Sequence, residues 1–149
     1  MILLFLPLWL LATRDLSAPV LTRNRPVDFS LVVASCFQGD TVSLMLNGQE
    51  LLTERATSDA STGVTGISVH QDRKGLWTSV AGETTRYPRL DLHQRLQLRV
   101  VLNGQPSSHV VDLRRGWIIF VNACAQPTGS EAPARRLTLH QYRQPVTLE

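Results

Sequence analysis

A chain of 149 residues with 43% hydrophobic and 18% charged content carries one domain's worth of sequence and enough apolar material for a core, which excludes an intrinsically disordered chain. Its formal net charge of +3 is an arginine charge, since Lys74 is the sole lysine beside fourteen arginines. The arginines are scattered, with adjacent pairs only at Arg114-Arg115 and Arg135-Arg136, so the dense basic stripe of a nucleic-acid-binding face is missing and no nucleic acid is expected as a partner.

The first twelve residues, Met1 to Ala12, are apolar and are followed at once by Thr13-Arg14-Asp15. This run is too short to cross a bilayer, which takes about 20 residues. Its length suits the apolar core of a secretory signal peptide, with Ala12 as the small residue before cleavage and Ser17-Ala18 as a second option. No lysine or arginine precedes the run, and Pro7 sits within it. The alternative is an apolar segment that stays and packs on the domain. The signal-peptide reading leads to an exported protein, whether periplasmic, cell-surface or secreted. No later stretch is long enough for a transmembrane span. Residues 13–27, with Pro19, Pro26, Arg14, Arg23 and Arg25, read as an extended arm or linker, because proline removes donors and disfavours helix.

From Asp28 to the end, residues 28–149, short strands alternate with turn signals. Phe29 to Ala34 is apolar and β-branched, and Gln38-Gly39-Asp40 punctuates it. Val42, Leu44 and Leu46 then alternate with Thr41, Ser43 and Met45, the period of a half-buried strand. Asn47-Gly48 suits a type I′ hairpin turn, since both residues tolerate positive φ. A two-residue loop sets Leu46 opposite Gln49 and Leu44 opposite Leu51, which keeps the leucines on one face. Residues 50–57 leave room for one turn of helix.

Ser58 to Gly66 is a polar loop, Gly66 to His70 a short strand, Gln71 to Gly75 a turn and Leu76 to Val80 a further strand, bounded downstream by Tyr87-Pro88. Leu96, Leu98, Val100 and Leu102 alternate before Asn103-Gly104. The returning strand sets His109 opposite Leu98 and Val111 opposite Leu96. Both hairpins contain Leu-Asn-Gly-Gln, which we read as two independent uses of one good turn, because repeat architectures need three or more copies. Trp117 to Val121, apolar on both faces, suits a covered central strand with Trp117 in the core. Gln126 to Pro133 is a loop, and Arg136 to Tyr142 alternates as the last strand. About eight strands at this spacing make an all-β domain: an antiparallel β-sandwich, Ig-like or jelly-roll-like, with a small closed β-barrel as the alternative.

Chemistry-bearing motifs are sparse. His70, His93, His109 and His140 show no metal-ligand spacing, and His70 with Asp72 reads as a solvated turn. There is no GxSxG elbow, no GxGxxG or GxxxxGK loop, no DxDxDG loop and no close carboxylate pair. No catalytic residue, metal or cofactor is therefore assigned. Cys36 and Cys124 lie outside any CxxC; in an oxidising compartment they could pair, and otherwise they are small buried hydrophobes.

The aromatic residues are more suggestive. Trp77, between Lys74-Gly75-Leu76 and Thr78-Ser79, is the candidate exposed anchor. With Tyr87, Arg73, Lys74 and Arg89 it combines rigid rings and cations in one turn-rich region. The expected function is a non-catalytic exported recognition or accessory module that binds a protein or carbohydrate through a sheet face or the loops at one end. Two other classes stand beside it. One is a structural or assembly protein whose arm, residues 13–27, adds a strand to a neighbour's sheet. The other is an enzyme or inhibitor whose site forms only in three dimensions, from groups such as His70, His93, His140 and a carboxylate.

Overall fold

The computed structural model describes residues 27–125 and 135–144. The apolar run 1–12 and the arm up to residue 26 lie outside the described residues. Ten strands are present among those described: β1 (Phe29–Val33), β2 (Gln38–Leu46), β3 (Gln49–Thr57), β4 (Ile67–Asp72), β5 (Gly75–Val80), β6 (Glu83–Tyr87), β7 (Arg95–Leu102), β8 (Gln105–Asp112), β9 (Ile118–Asn122) and β10 (Thr138–Tyr142).

Turn chemistry accounts for the hairpins. Asn47 and Gly48 have φ of 48° and 82°, and Asn103 and Gly104 have 49° and 83°, the paired positive values of a type I′ turn. The second hairpin has the expected register, with Leu98 opposite His109 and Leu96 opposite Val111. The first keeps Leu46 opposite Gln49 but then slips: Met45 faces Glu50 and Leu44 faces Leu52, not Leu51. The extra residue in β3 is a bulge. It lets Leu51 and Leu52, consecutive in sequence, both be buried. The same stretch is strand throughout, so the helical turn expected within 50–57 is not formed.

A third hairpin, β5–β6, turns on Ala81-Gly82 with φ of 49° and 87°. It has the same backbone geometry with alanine in the left-handed position. Strand β6 was not anticipated, and it brings the count to ten instead of about eight. The strands form two sheets, ordered β10-β9-β1-β4-β5-β6 and β3-β2-β7-β8. They do not close into a barrel. Every strand pair is antiparallel except β1 with β9, which is parallel. The chain alternates between the sheets: β1 in the first, β2–β3 in the second, β4–β6 back in the first with β4 on β1, β7–β8 in the second, and then β9, which docks parallel on β1's other edge.

Alternation places the core between the sheets. Val42, Leu44, Leu46, Leu96, Leu98 and Val100 face Phe29, Leu31, Val69, Leu76, Ile119 and Val121, and all are essentially sealed from solvent. Each such side chain contributes on the order of 2 kcal/mol by leaving water. Strand β9 is less covered than its apolar sequence suggests. Phe120 points away from the core and is partly exposed, and Trp117, just ahead of the strand, is only partly buried.

Three polar ties lock the connections. Cys36 and Cys124 form a disulfide, with Cα atoms 4.8 Å apart across 88 residues of sequence. Beside it Arg135 ion-pairs with the buried Asp40 at 2.5 Å and donates to the carbonyls of Cys36 and Ala123. Asp40 also accepts from Asn103 Nδ2 and the Gln38 amide, each at 2.8 Å. Burial alone pushes the Asp40 carboxyl up; the hydrogen bonds from Arg135, Gln38 and Asn103, with the Arg135 charge, outweigh it and hold the group at about 2. Fully buried Gln71 is the third tie. Its amide donates to the Leu90 carbonyl and accepts from the Leu90 amide, at 3.0 and 2.8 Å, so it does the work of a missing strand for the segment that leaves β6.

Candidate functional site

The outer face of the six-stranded sheet carries a cluster of aromatic and polar side chains. Strand registers put Tyr142, Ile118, Ser30, His70, Trp77 and Arg86 in one row, strand by strand from β10 to β6. Period-two alternation turns the neighbours of these residues inward, which is why Leu31, Val69, Leu76 and Ile119 join the core between the sheets while this row faces away from it, Ile118 alone being buried there.

Trp77 is the centre of the row's polar half. Its ring stacks on His70 at a centroid distance of 5.5 Å with a 30° tilt. Arg86 lies directly across the strand pair on its other side. His70 is no solvated turn residue. It is partly buried, with Nδ1 2.9 Å from Ser30 Oγ and Nε2 2.8 Å from Ser68 Oγ. Burial lowers its pKa below the ordinary 6.5, so the ring is neutral at neutral pH and presents a flat, uncharged partner to the indole. At the far end of the row Phe120 and Tyr142 meet edge to face at 5.5 Å.

The five residues singled out in the sequence do not form a single site. Trp77 faces outward, whereas Tyr87 stands opposite Leu76 and therefore points between the sheets. There its hydroxyl donates to the Leu51 carbonyl, and its ring packs against the core. A shared Trp77–Tyr87 platform is excluded by this geometry: the two residues occupy opposite faces of adjacent strands. Arg73 and Lys74 form the exposed tip of the β4–β5 hairpin just upstream of Trp77, closed by Asp72 Oδ1, which accepts from the Lys74 and Gly75 amides at 2.7 and 3.2 Å. Arg89 lies beyond Tyr87 and is taken up by Asp28 at 2.7 Å. Arg86, Arg73 and Lys74, by contrast, enter no ion pair among the described residues.

Arg86 and the Phe120–Tyr142 pair were missed in the sequence, and His70 was read there as a solvated turn residue or a member of a convergent site, not as the partner of Trp77. Arg86 becomes visible only once Ala81-Gly82 is recognised as a hairpin turn, since that turn sets it beside Trp77. No group of three or more His, Cys, Asp or Glu residues that could hold a metal is present among the described residues. His109 is held by Ser107 Oγ at 2.6 Å. It lines a shallow groove of about 280 Å³ along β7 and β8, where Val110 is 68% exposed. Neither this groove nor the cleft described below is lined by His70, His93 or His140. No helix among the described residues is long and apolar enough to cross a membrane. Comparison with family models, with curated proteins and with solved structures finds no match to this chain.

Proposed function

We propose that this protein is a non-catalytic recognition module that works outside the cytosol and binds an acidic glycan through the outer face of its six-stranded sheet. The observation that carries the reading is the Trp77 indole, flanked by neutral His70 on one side and on the other by Arg86, which enters no ion pair among the described residues. An aromatic ring offers an apolar surface to a sugar ring while polar neighbours meet its hydroxyls. Ser30 and Ser68 belong to that polar surround. Arg86, with Arg73 and Lys74 at the adjacent hairpin tip, supplies planar and point cations for carboxylate or sulfate groups. The only acidic group of β4 on this face, Asp72, is engaged by the turn amides.

Export is supported by the Cys36–Cys124 disulfide, a bond that persists in oxidising compartments and is rare in the cytosol. The amino-terminal run, read as a signal peptide, agrees with it. The test is a glycan array that includes sulfated, uronic-acid and neutral saccharides, probed with the mature protein. Acidic glycans should be retained, and Trp77→Ala and Arg86→Ala should each weaken retention about tenfold or more. Retention that both variants leave unchanged, or a preference for neutral sugars, would overturn the reading. Capture by a protein ligand alone, lost in Trp77→Ala, would keep the surface and reject the glycan.

A further inference from the structure

The two sheets are of unequal width, and the consequence is an open flank. Beyond β3, the inner side of the β5–β6 hairpin is faced by no further strand among the described residues. Tyr87 bridges the gap by donating to the Leu51 carbonyl, and next to that bond lies a cleft of about 430 Å³. This is within the range of small-molecule sites, roughly 300–1,000 Å³.

The lining is unlike the core. Thr78 and Thr85 are register partners on the inner face of β5 and β6, and both line the cleft. Thr78 is 3% exposed, and its hydroxyl has no hydrogen-bond partner among the described residues. No buried side-chain nitrogen or oxygen is both sealed and unpartnered, so the Thr78 hydroxyl opens onto the cleft. An oxygen that lies deep yet is reached only from the cleft is free to bond to whatever occupies the cleft, water or ligand.

Two carboxylates guard the same space. Glu54 stands opposite fully buried Val42 and so lies on the inner face of β3; Glu83 stands opposite Val80 on the inner face of β6. Both remain exposed, because the sheets do not cover them. Neither is in an ion pair among the described residues, and no arginine, lysine or histidine lines the cleft. The walls between are apolar, from Leu52, Val80 and Tyr87.

Acceptors at the mouth, hydroxyls within and an apolar body between them suit one chemistry. We infer that the cleft is a binding site for an alkylammonium group, a free aliphatic amine or a lysine side chain, with Glu54 and Glu83 meeting the charge and Thr78 accepting an N–H. The ammonium has three donors and no acceptor, the complement of this lining. The site is separate from the Trp77 face, so the two stand or fall independently. Inward-facing charge on an edge strand also deters edge-to-edge pairing, but that role requires no free hydroxyl beneath it.

The experiment is a two-dimensional amide NMR titration of the full chain with 1,5-diaminopentane, with 1,5-pentanediol as the uncharged control and Nα-acetyl-lysine methylamide as the peptide arm. The diamine or the lysine derivative should shift resonances of β3, β5 and β6, and the diol should not. Whichever of the two binds tighter identifies the source of the ammonium. Thr78→Val should weaken binding about tenfold, Thr78→Ser should retain it, and Glu54→Gln with Glu83→Gln should weaken it and flatten its salt dependence. Should Thr78→Val fail to fold, Thr78→Ser and the surface glutamate variants still read the site. No shifts at millimolar amine, equal shifts with the diol, or binding indifferent to both glutamates would overturn the inference.

Discussion

Arg135→Gln is the sharpest single perturbation of this fold. The substitution removes the 2.5 Å ion pair to Asp40 and the donations to the Cys36 and Ala123 carbonyls, while Asp40 keeps its bonds from Gln38 and Asn103. Lowering the Asp40 pKa from 3.8 to about 2 corresponds to about 2.5 kcal/mol of stabilisation. Breaking a buried pair from one side costs about 3–5 kcal/mol when the remaining charge is bare. With two donors left on Asp40 and the Arg135 side chain 30% exposed, the expected loss is nearer 2 kcal/mol.

The folded pKa lies below the unfolded one, so the contribution is complete above about pH 4 and is lost as pH falls toward 2. The gap between wild type and variant should therefore close over that window, because protonated Asp40 no longer needs Arg135. Urea denaturation under oxidising conditions at pH 7, 4 and 2.5 measures it. Asp59, also held at about 2 chiefly by Ser61, and Asp112, held low chiefly by Arg114, titrate in both proteins and cancel from the difference. A gap under about 0.5 kcal/mol at pH 7, or one that does not change with pH, would refute the reasoning.

Three further outcomes are expected. Replacing both cysteines by alanine, which opens a loop of 88 residues, should cost about 4–5 kcal/mol by the chain-entropy relation; a reductant that leaves the denaturation midpoint unmoved would contradict it. Ala81→Asn should stabilise the protein by about 0.5–1 kcal/mol, since Ala81 has φ of 49° and asparagine tolerates the left-handed region better; a lower midpoint would show that the turn is not the type I′ described. His70, with its pKa lowered by burial, should titrate below 6.5 in an NMR titration, and stability should fall as pH drops below that value because the unfolded chain protonates first. A midpoint at or above 6.5 would remove the case for a neutral ring beneath Trp77.

What could be read from the sequence was local. The two Asn-Gly pairs with alternating leucines specify hairpin tips, strand faces and the all-β class, because turn conformation and pleat period depend only on near neighbours. β6 escaped because Glu83 to Arg86 carries no apolar alternation and its turn begins with alanine; of its inner-face residues Glu83 and Thr85 stay exposed and only Tyr87 packs on the core. The bulge that pairs Leu44 with Leu52 was likewise hidden, since either leucine satisfies the pattern. Contacts between distant segments belong to the tertiary structure: the parallel docking of β9 on β1 and the reach of Arg135 to Asp40, whereas the pairing of Cys36 with Cys124 stood in the sequence as one of two alternatives and the structure closes it. So does the parting of Trp77 from Tyr87, which fall on opposite faces once β5 and β6 pair. Such arrangements depend on which sheet each strand joins and how far the other sheet covers it, and no spacing along the chain encodes that.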